Sequence, residues 1–139
     1  MKVLLKTTLL ASVVAVTTAA QAEVNLVSWG GAYTASQQKA YQATYKDPDS
    51  INFINYNGGL GEVRTQVESG NVTWDIVDVL PSEARVGCDE GLFEELDRSA
   101  FMAAPDGTSM DDDIMVEVPN DCVVPQIFWS YVPFYQAGT

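Results

Sequence analysis

The spacing of hydrophobic and polar positions changes several times along the chain. Val24 to Trp29 (VNLVSW) reads as a strand stopped by Gly30-Gly31. From Tyr33 the spacing turns helical: Tyr33, Ala40, Tyr41 and Tyr45 share one face, Gln37, Gln38 and Lys39 lie largely off it, and Pro48 closes the helix. Ile51 to Tyr56 (INFINY), rich in β-branched and aromatic residues, predicts a second strand that ends at the turn Asn57-Gly58-Gly59. Leu60, Val63 and Val67 restore helical spacing as far as Gly70. Asp75 to Leu80 (DIVDVL) is almost continuously apolar, as in a parallel strand covered on both faces, and Asp78 interrupts it.

Beyond Pro81 the pattern weakens. It predicts a short helix over Glu83 to Gly91, a turn onto the core at Leu92 to Leu96, a polar loop at Pro105 to Asp113 (PDGTSMDDD), and further strands at Asp121 to Ile127 and Phe128 to Tyr135. Strand, helix, strand, helix, strand implies two right-handed crossovers and an α/β fold: an open, mostly parallel sheet with flanking helices. Ligands of such sheets lie beyond the carboxyl ends of the strands. That rule singles out Trp29 to Tyr33, Tyr56 to Gly59 with Asn57 among them, and Asp78 to Ser82.

Met1 to Ala22 stands apart from this pattern. Lys2 and Lys6 make a basic start, Leu9 to Val16 is apolar, and Ala20-Gln21-Ala22 is a small-x-small cleavage site before Glu23. This is the form of a secretory signal peptide, and the apolar run is shorter than the ~20 residues a membrane span needs. Without its two lysines the remainder holds 5 basic against 19 acidic residues, a net charge of −14. Such a chain cannot neutralise a run of phosphates, which excludes nucleic acid as a partner, and an anionic membrane surface is disfavoured for the same reason. A cationic ligand is compatible with the charge; so is simple solubility.

The chain has no histidine, which removes Ser-His and Cys-His nucleophilic pairs and histidine-ligated metals. Its two cysteines, Cys88 and Cys122, are too few for a structural zinc site, and in an exported chain they are read as one disulfide. Such a bridge closes a loop of about 35 residues and contributes about 4 kcal/mol in the chain-entropy description. Two free buried thiols are the alternative.

Other motifs carry less. Asn57-Gly58-Gly59-Leu60-Gly61 fits neither G-x-G-x-x-G, because Arg64 holds the last place, nor a lysine-containing P-loop, and it reads as a helix-start turn. Asp111-Asp112-Asp113 lacks EF-hand spacing and reads as a solvated loop, while Glu94-Glu95, adjacent in sequence, would point to opposite faces of a strand. Asp78 is sharper. A carboxylate inside an apolar strand needs a partner, either a cationic ligand or donors from the protein itself.

Taken in order, Ser28-Trp29-Gly30-Gly31-Ala32-Tyr33, Asn55-Tyr56-Asn57-Gly58-Gly59, Trp74-Asp75-Ile76-Val77-Asp78 and Glu90-Gly91-Leu92-Phe93-Glu94-Glu95-Leu96-Asp97 resemble the N-terminal lobe of bacterial extracellular solute-binding proteins that serve ABC importers. The branch they most resemble is the spermidine/putrescine-binding type. The resemblance implies a periplasmic-binding-protein-like lobe, here incomplete. It also implies a protein that closes over a small polyamine-like solute and delivers it to a membrane permease, without cofactor or metal, in the periplasm and as a monomer. Members of the family are more than twice this length, so residues 23–139 are expected to be a partial N-terminal lobe.

The resemblance assigns ligand contacts residue by residue. Trp29 and Tyr33 stand where polyamine binders place aromatic residues over a methylene chain and an ammonium, an attraction on the order of 1–2 kcal/mol when desolvated. The competing reading is that both pack over the sheet edge. Gly30 and Gly31 admit a ligand close to the backbone, although any strand-to-helix turn needs such residues. Pro81-Ser82 resembles the Pro-Ser after the third strand at a two-residue offset, with Glu83 where an aromatic would stand. Two classes of function therefore remain: capture of a small cationic solute, and a secreted hydrolase working with carboxylates alone, such as a glycosidase with two acids at set separation. A non-functional fragment of a binding protein is a third outcome.

Overall fold

The computed structural model of the protein describes residues 23–138. The signal peptide expected at Met1 to Ala22 lies outside the described residues. Three strands form one parallel sheet: β1 (Val24–Ser28) in the centre, β2 (Ile51–Asn55) on one side and β3 (Ile76–Val77) on the other. Val24 pairs with Ile51 and Ser28 with Asn55, while Leu26 and Val27 pair with Ile76 and Val77. Helix α1 (Gly31–Ala40) connects β1 to β2, α2 (Gly61–Ser69) connects β2 to β3, and α3 (Pro81–Asp89) follows β3. The expected α/β class and parallel order are those observed.

Local chemistry explains most boundaries. Gly70 takes a left-handed conformation at φ 67° and its N–H caps the carbonyls of Gln66 and Val67, which ends α2. Pro81 opens α3, where its missing N–H costs nothing, and the Glu83 carboxylate accepts the Leu80 N–H at 2.8 Å. The loop from α2 to β3 is pinned by the Gln66 side-chain oxygen, which accepts from the Thr73 N–H at 2.8 Å. Among the described residues the buried apolar side chains are Val27 of β1, Val63 of α2, Ala84 of α3 and Cys122, so the core is small.

Four expectations are corrected. The inward face of α1 is Thr34 and Gln37, not the tyrosine stripe; Tyr41 and Tyr45 are 44% and 45% exposed. Hydrogen-bond demand decides this face, because Gln37 has buried polar partners beneath it. The third strand is two residues long, and Ile76 is 52% exposed rather than covered on both faces. It stops where the Asp78 main-chain carbonyl accepts from the Tyr56 hydroxyl instead of continuing a ladder. Residues 123–138 form no strand, since an extended segment becomes one only with a partner ladder and the β3 edge is too short to supply it. Within the polar loop, Ser109 caps a single helical turn, α4 (Met110–Asp113).

A disulfide joins Cys88 at the end of α3 to Cys122, as expected. Leu96 N–H to Asp121 carbonyl at 2.9 Å and Asn120 side-chain N–H to Ala84 carbonyl at 3.0 Å complete this attachment. The chain beyond residue 120 is thereby carried back across α3 toward the carboxyl edge of the sheet.

Candidate functional site

Because all three strands are parallel, Trp29, Tyr56 and Asp78, each following a strand, emerge at the same edge. The turn after β1 depends on glycine. Gly30 sits at φ 81° and ψ −168°, conformations that only glycine adopts readily, and its N–H donates to the Thr34 hydroxyl at 2.9 Å. Thr34 in turn reaches the Asn55 side chain at 3.3 Å, so the start of α1 is tied to the end of β2. This turn aims Trp29 and Tyr33 outward together, with ring centroids 5.5 Å apart.

The rings continue across the edge. Trp29 stacks on Tyr56 at 6.4 Å and 19°, and Tyr56 meets Trp74 edge-on at 5.6 Å. Opposite them, Trp129 and Tyr131 pack edge to face at 4.8 Å. Trp29, Tyr33, Leu80, Ile127, Trp129 and Tyr131 line a cleft of about 260 Å³, at the lower edge of small-molecule site volumes. No carboxylate is in that lining.

Beneath the rings lies a buried polar chain. Asp78 is 6% exposed; its Oδ2 accepts from Gln37 Nε2 at 2.8 Å and its Oδ1 from Gln126 Nε2. Gln37 Oε1 accepts from the buried Ser28 hydroxyl at 2.6 Å. The carboxylate is therefore held by protein amides, the second of the two partnerships its sequence context allowed. The Tyr33 hydroxyl is buried without a hydrogen-bond partner among the described residues; the Gln126 amide lies near it outside hydrogen-bond geometry. Burial, with the Asp78 charge and Tyr41 adding to it, pushes the Tyr33 phenol up to about 12. Burial also pushes Tyr56 up to about 12, helped by the charges of Glu83 and Asp78 and opposed by the Trp29 indole N–H.

Of the residues singled out in the sequence, Trp29 and Tyr33 line the cleft. Gly30 and Gly31 form the turn that carries them, and Asp78 lies below the rings. Asn57, Pro81 and Ser82 are exposed on the neighbouring turns and are not in the lining, and Glu83 caps α3. Leu80, within the singled-out segment Asp78 to Ser82, also lines the cleft, while sequence reasoning missed Ile127, Trp129 and Tyr131, together with the amides of Gln37 and Gln126. The one available signal was the aromatic alternation at Trp129 and Tyr131, read there as a strand. Among the described residues no group of three or more His, Cys, Asp or Glu is placed to hold a metal ion.

No protein-family profile matches the chain. It is 35% identical over 127 residues to the gamma-aminobutyric acid-binding protein of Pseudomonas aeruginosa, an alignment covering 86% of this chain and 33% of that protein. Among solved structures it is similar to the PBP AgtB from A. tumefaciens R10 in complex with agropinic acid. That match has a TM-score of 0.51 and 32% identity, and covers 59% of this chain and 26% of AgtB. The chain thus spans about a third of the length of this curated relative, which is named for binding gamma-aminobutyric acid, and about a quarter of AgtB, a PBP solved with agropinic acid.

Proposed function

We propose that the chain forms the N-terminal lobe of a periplasmic solute-binding protein of an ABC importer. In this reading it captures a small solute bearing a primary ammonium on a short alkyl chain and presents it to a membrane permease. The observation that carries this is the cleft of four aromatic and two aliphatic residues at the carboxyl edge of a parallel sheet. Ring faces attract an ammonium and bury a methylene chain, and the strong negative charge of the chain favours approach of a cation. Polyamines such as putrescine and spermidine carry this chemistry. So does γ-aminobutyric acid, which the name of the Pseudomonas relative points to. Residues 1–22 would direct export, and the mature chain would act in the periplasm as a monomer. The lining offers no pair of carboxylates, so a glycosidase-type hydrolase has no support in the cleft.

Thermal unfolding of the oxidised full chain tests this, with millimolar putrescine, spermidine or γ-aminobutyric acid and with ammonium chloride as control. A ligand of the native state raises the midpoint, by an amount equivalent to about 2.7 kcal/mol at a hundredfold excess over Kd. The expected result is a rise with at least one alkylamine and none with ammonium. Trp29→Ala should remove it. A midpoint that ignores all three amines would refute the assignment.

A further inference from the structure

We infer that Gln126 is a positioning residue whose amide, fastened to the buried Asp78 carboxylate, holds the far wall of the cleft in place. The inference rests on the proposed reading of the cleft as a ligand site. Half of the lining comes from residues 127–131, a segment with no helix or strand of its own. Burial does little to fix it: Trp129 is 52% exposed and Tyr131 is 88% exposed. Trp129 and Tyr131 pack on each other, which keeps their mutual geometry but does not tie them to the sheet.

Gln126, immediately before this segment, supplies the tie. Its Nε2 donates to Asp78 Oδ1, while Gln37 from α1 donates to Oδ2 and the Tyr56 hydroxyl donates to the Asp78 main-chain carbonyl. Asp78 thus joins α1 and the far wall through its carboxylate and the end of β2 through its main-chain carbonyl. A hydrogen bond to a buried charge is short and directional, and suits a register-setting contact. The carboxylate requires a donor on both sides, and an amide donates without bringing a charge. The titratable groups facing this point are the Tyr33 phenol on α1, the Tyr56 phenol after β2, and Glu83 on α3 beyond Tyr56.

The test replaces the donor by an acceptor. In the full chain labelled with fluorotryptophan, the 19F spectrum reports Trp29, Trp74 and Trp129 separately, with Trp129→Phe giving the assignment. Gln126→Glu sets two carboxylates against each other at neutral pH. The expected result is a Trp129 resonance displaced from its wild-type position, with Trp29 and Trp74 moved less. A Trp129 resonance that Gln126→Glu leaves in place, or one displaced no more than those of Trp29 and Trp74, overturns the inference. If Gln126→Glu unfolds the chain, Gln126→Asn replaces it: the shortened, uncharged amide should displace Trp129 alone, and an unmoved Trp129 again overturns the inference.

Ligand affinity separates this inference from the functional reading. Where putrescine or γ-aminobutyric acid binds the wild type, Gln126→Glu should weaken it at least tenfold at neutral pH. If neither amine binds the wild type while the fluorine signal behaves as expected, the reading of the cleft fails and the positioning role stands.

Discussion

Two adjacent glycines, Gly30 and Gly31, should differ sharply in their tolerance of a methyl group. Gly30 lies at φ 81° and ψ −168°, a region almost closed to other residues, where strain costs about 1–3 kcal/mol. A Cβ there would also stand 3.2 Å from Asn55 Cγ, forcing that side chain aside and loosening its contact with Thr34. Gly31 lies at φ 57°, in the left-handed helical region, and a methyl group there would meet nothing within 4 Å. Its penalty is only the left-handed conformation itself, about 1–2 kcal/mol. Both substitutions stiffen the unfolded chain by a similar amount, so that gain cancels between them. Gly30→Ala should therefore be less stable than Gly31→Ala by about 1–2 kcal/mol, which at this size corresponds to roughly 3–8 °C in Tm. Urea unfolding of the oxidised proteins, followed by circular dichroism, measures the difference. Because Gly30 also sets the direction of Trp29 and Tyr33, its variant should show weaker alkylamine stabilisation as well. Equal midpoints, or Gly31→Ala as the less stable protein, would show that the turn is not held as described.

Helix packing and the buried phenols give two more tests. A Cβ on Gly87 would lie 2.2 Å from Phe93 Cε2. Gly87→Ala should therefore destabilise α3 by about 1–3 kcal/mol from overpacking, less the ~1 kcal/mol that alanine gains in a helix; a double variant with Phe93→Leu should recover part of the loss, and its failure to do so would place the strain elsewhere. Tyr33 and Tyr56 are both raised from 10.0 to about 12, so the folded state holds these protons more tightly than the unfolded state. Their contribution is fully present below about pH 10 and lost as pH rises toward 12. Phenolate absorbance should show a late component that shrinks in Tyr33→Phe and in Tyr56→Phe, and stability that stays level between these pH values would contradict the burial of both hydroxyls.

Much of the architecture was legible because it follows from short-range chemistry. The strand at Val24, the strand at Ile51 and the helix ended by Gly70 each announce themselves through period, β-branching or a glycine cap, and their alternation leaves few ways to connect a parallel sheet. The carboxyl-edge rule then leads to Trp29 and Tyr33 from the sequence pattern alone. Asp78 declares its need for a partner, but nothing nearby in the chain says which partner. Gln37 and Gln126 lie 41 and 48 residues away along the chain, and nothing local distinguishes them from solvated glutamines.

The same gap explains the misread helix face. Hydrophobic spacing assigns the inner side of α1 to Tyr33, Ala40, Tyr41 and Tyr45, yet Thr34 and Gln37 face inward because the sheet edge presents Ser28 and Asp78. Residues 123–138 show the converse. Their apolar, alternating pattern suits a strand, but strand formation needs an unpaired neighbour of matching length, which two-residue β3 does not offer. Sequence alone determined the fold class, the order of elements from β1 to α3 and the near side of the cleft, and it favoured a bridge between Cys88 and Cys122, since each depends on local propensity, covalent chemistry or a count of residues. Tertiary structure decided which polar groups are buried together and which distant aromatics complete the cleft. Those outcomes depend on partners brought together from separate parts of the chain, and the free energy of a buried hydrogen bond exists only once both groups have left water.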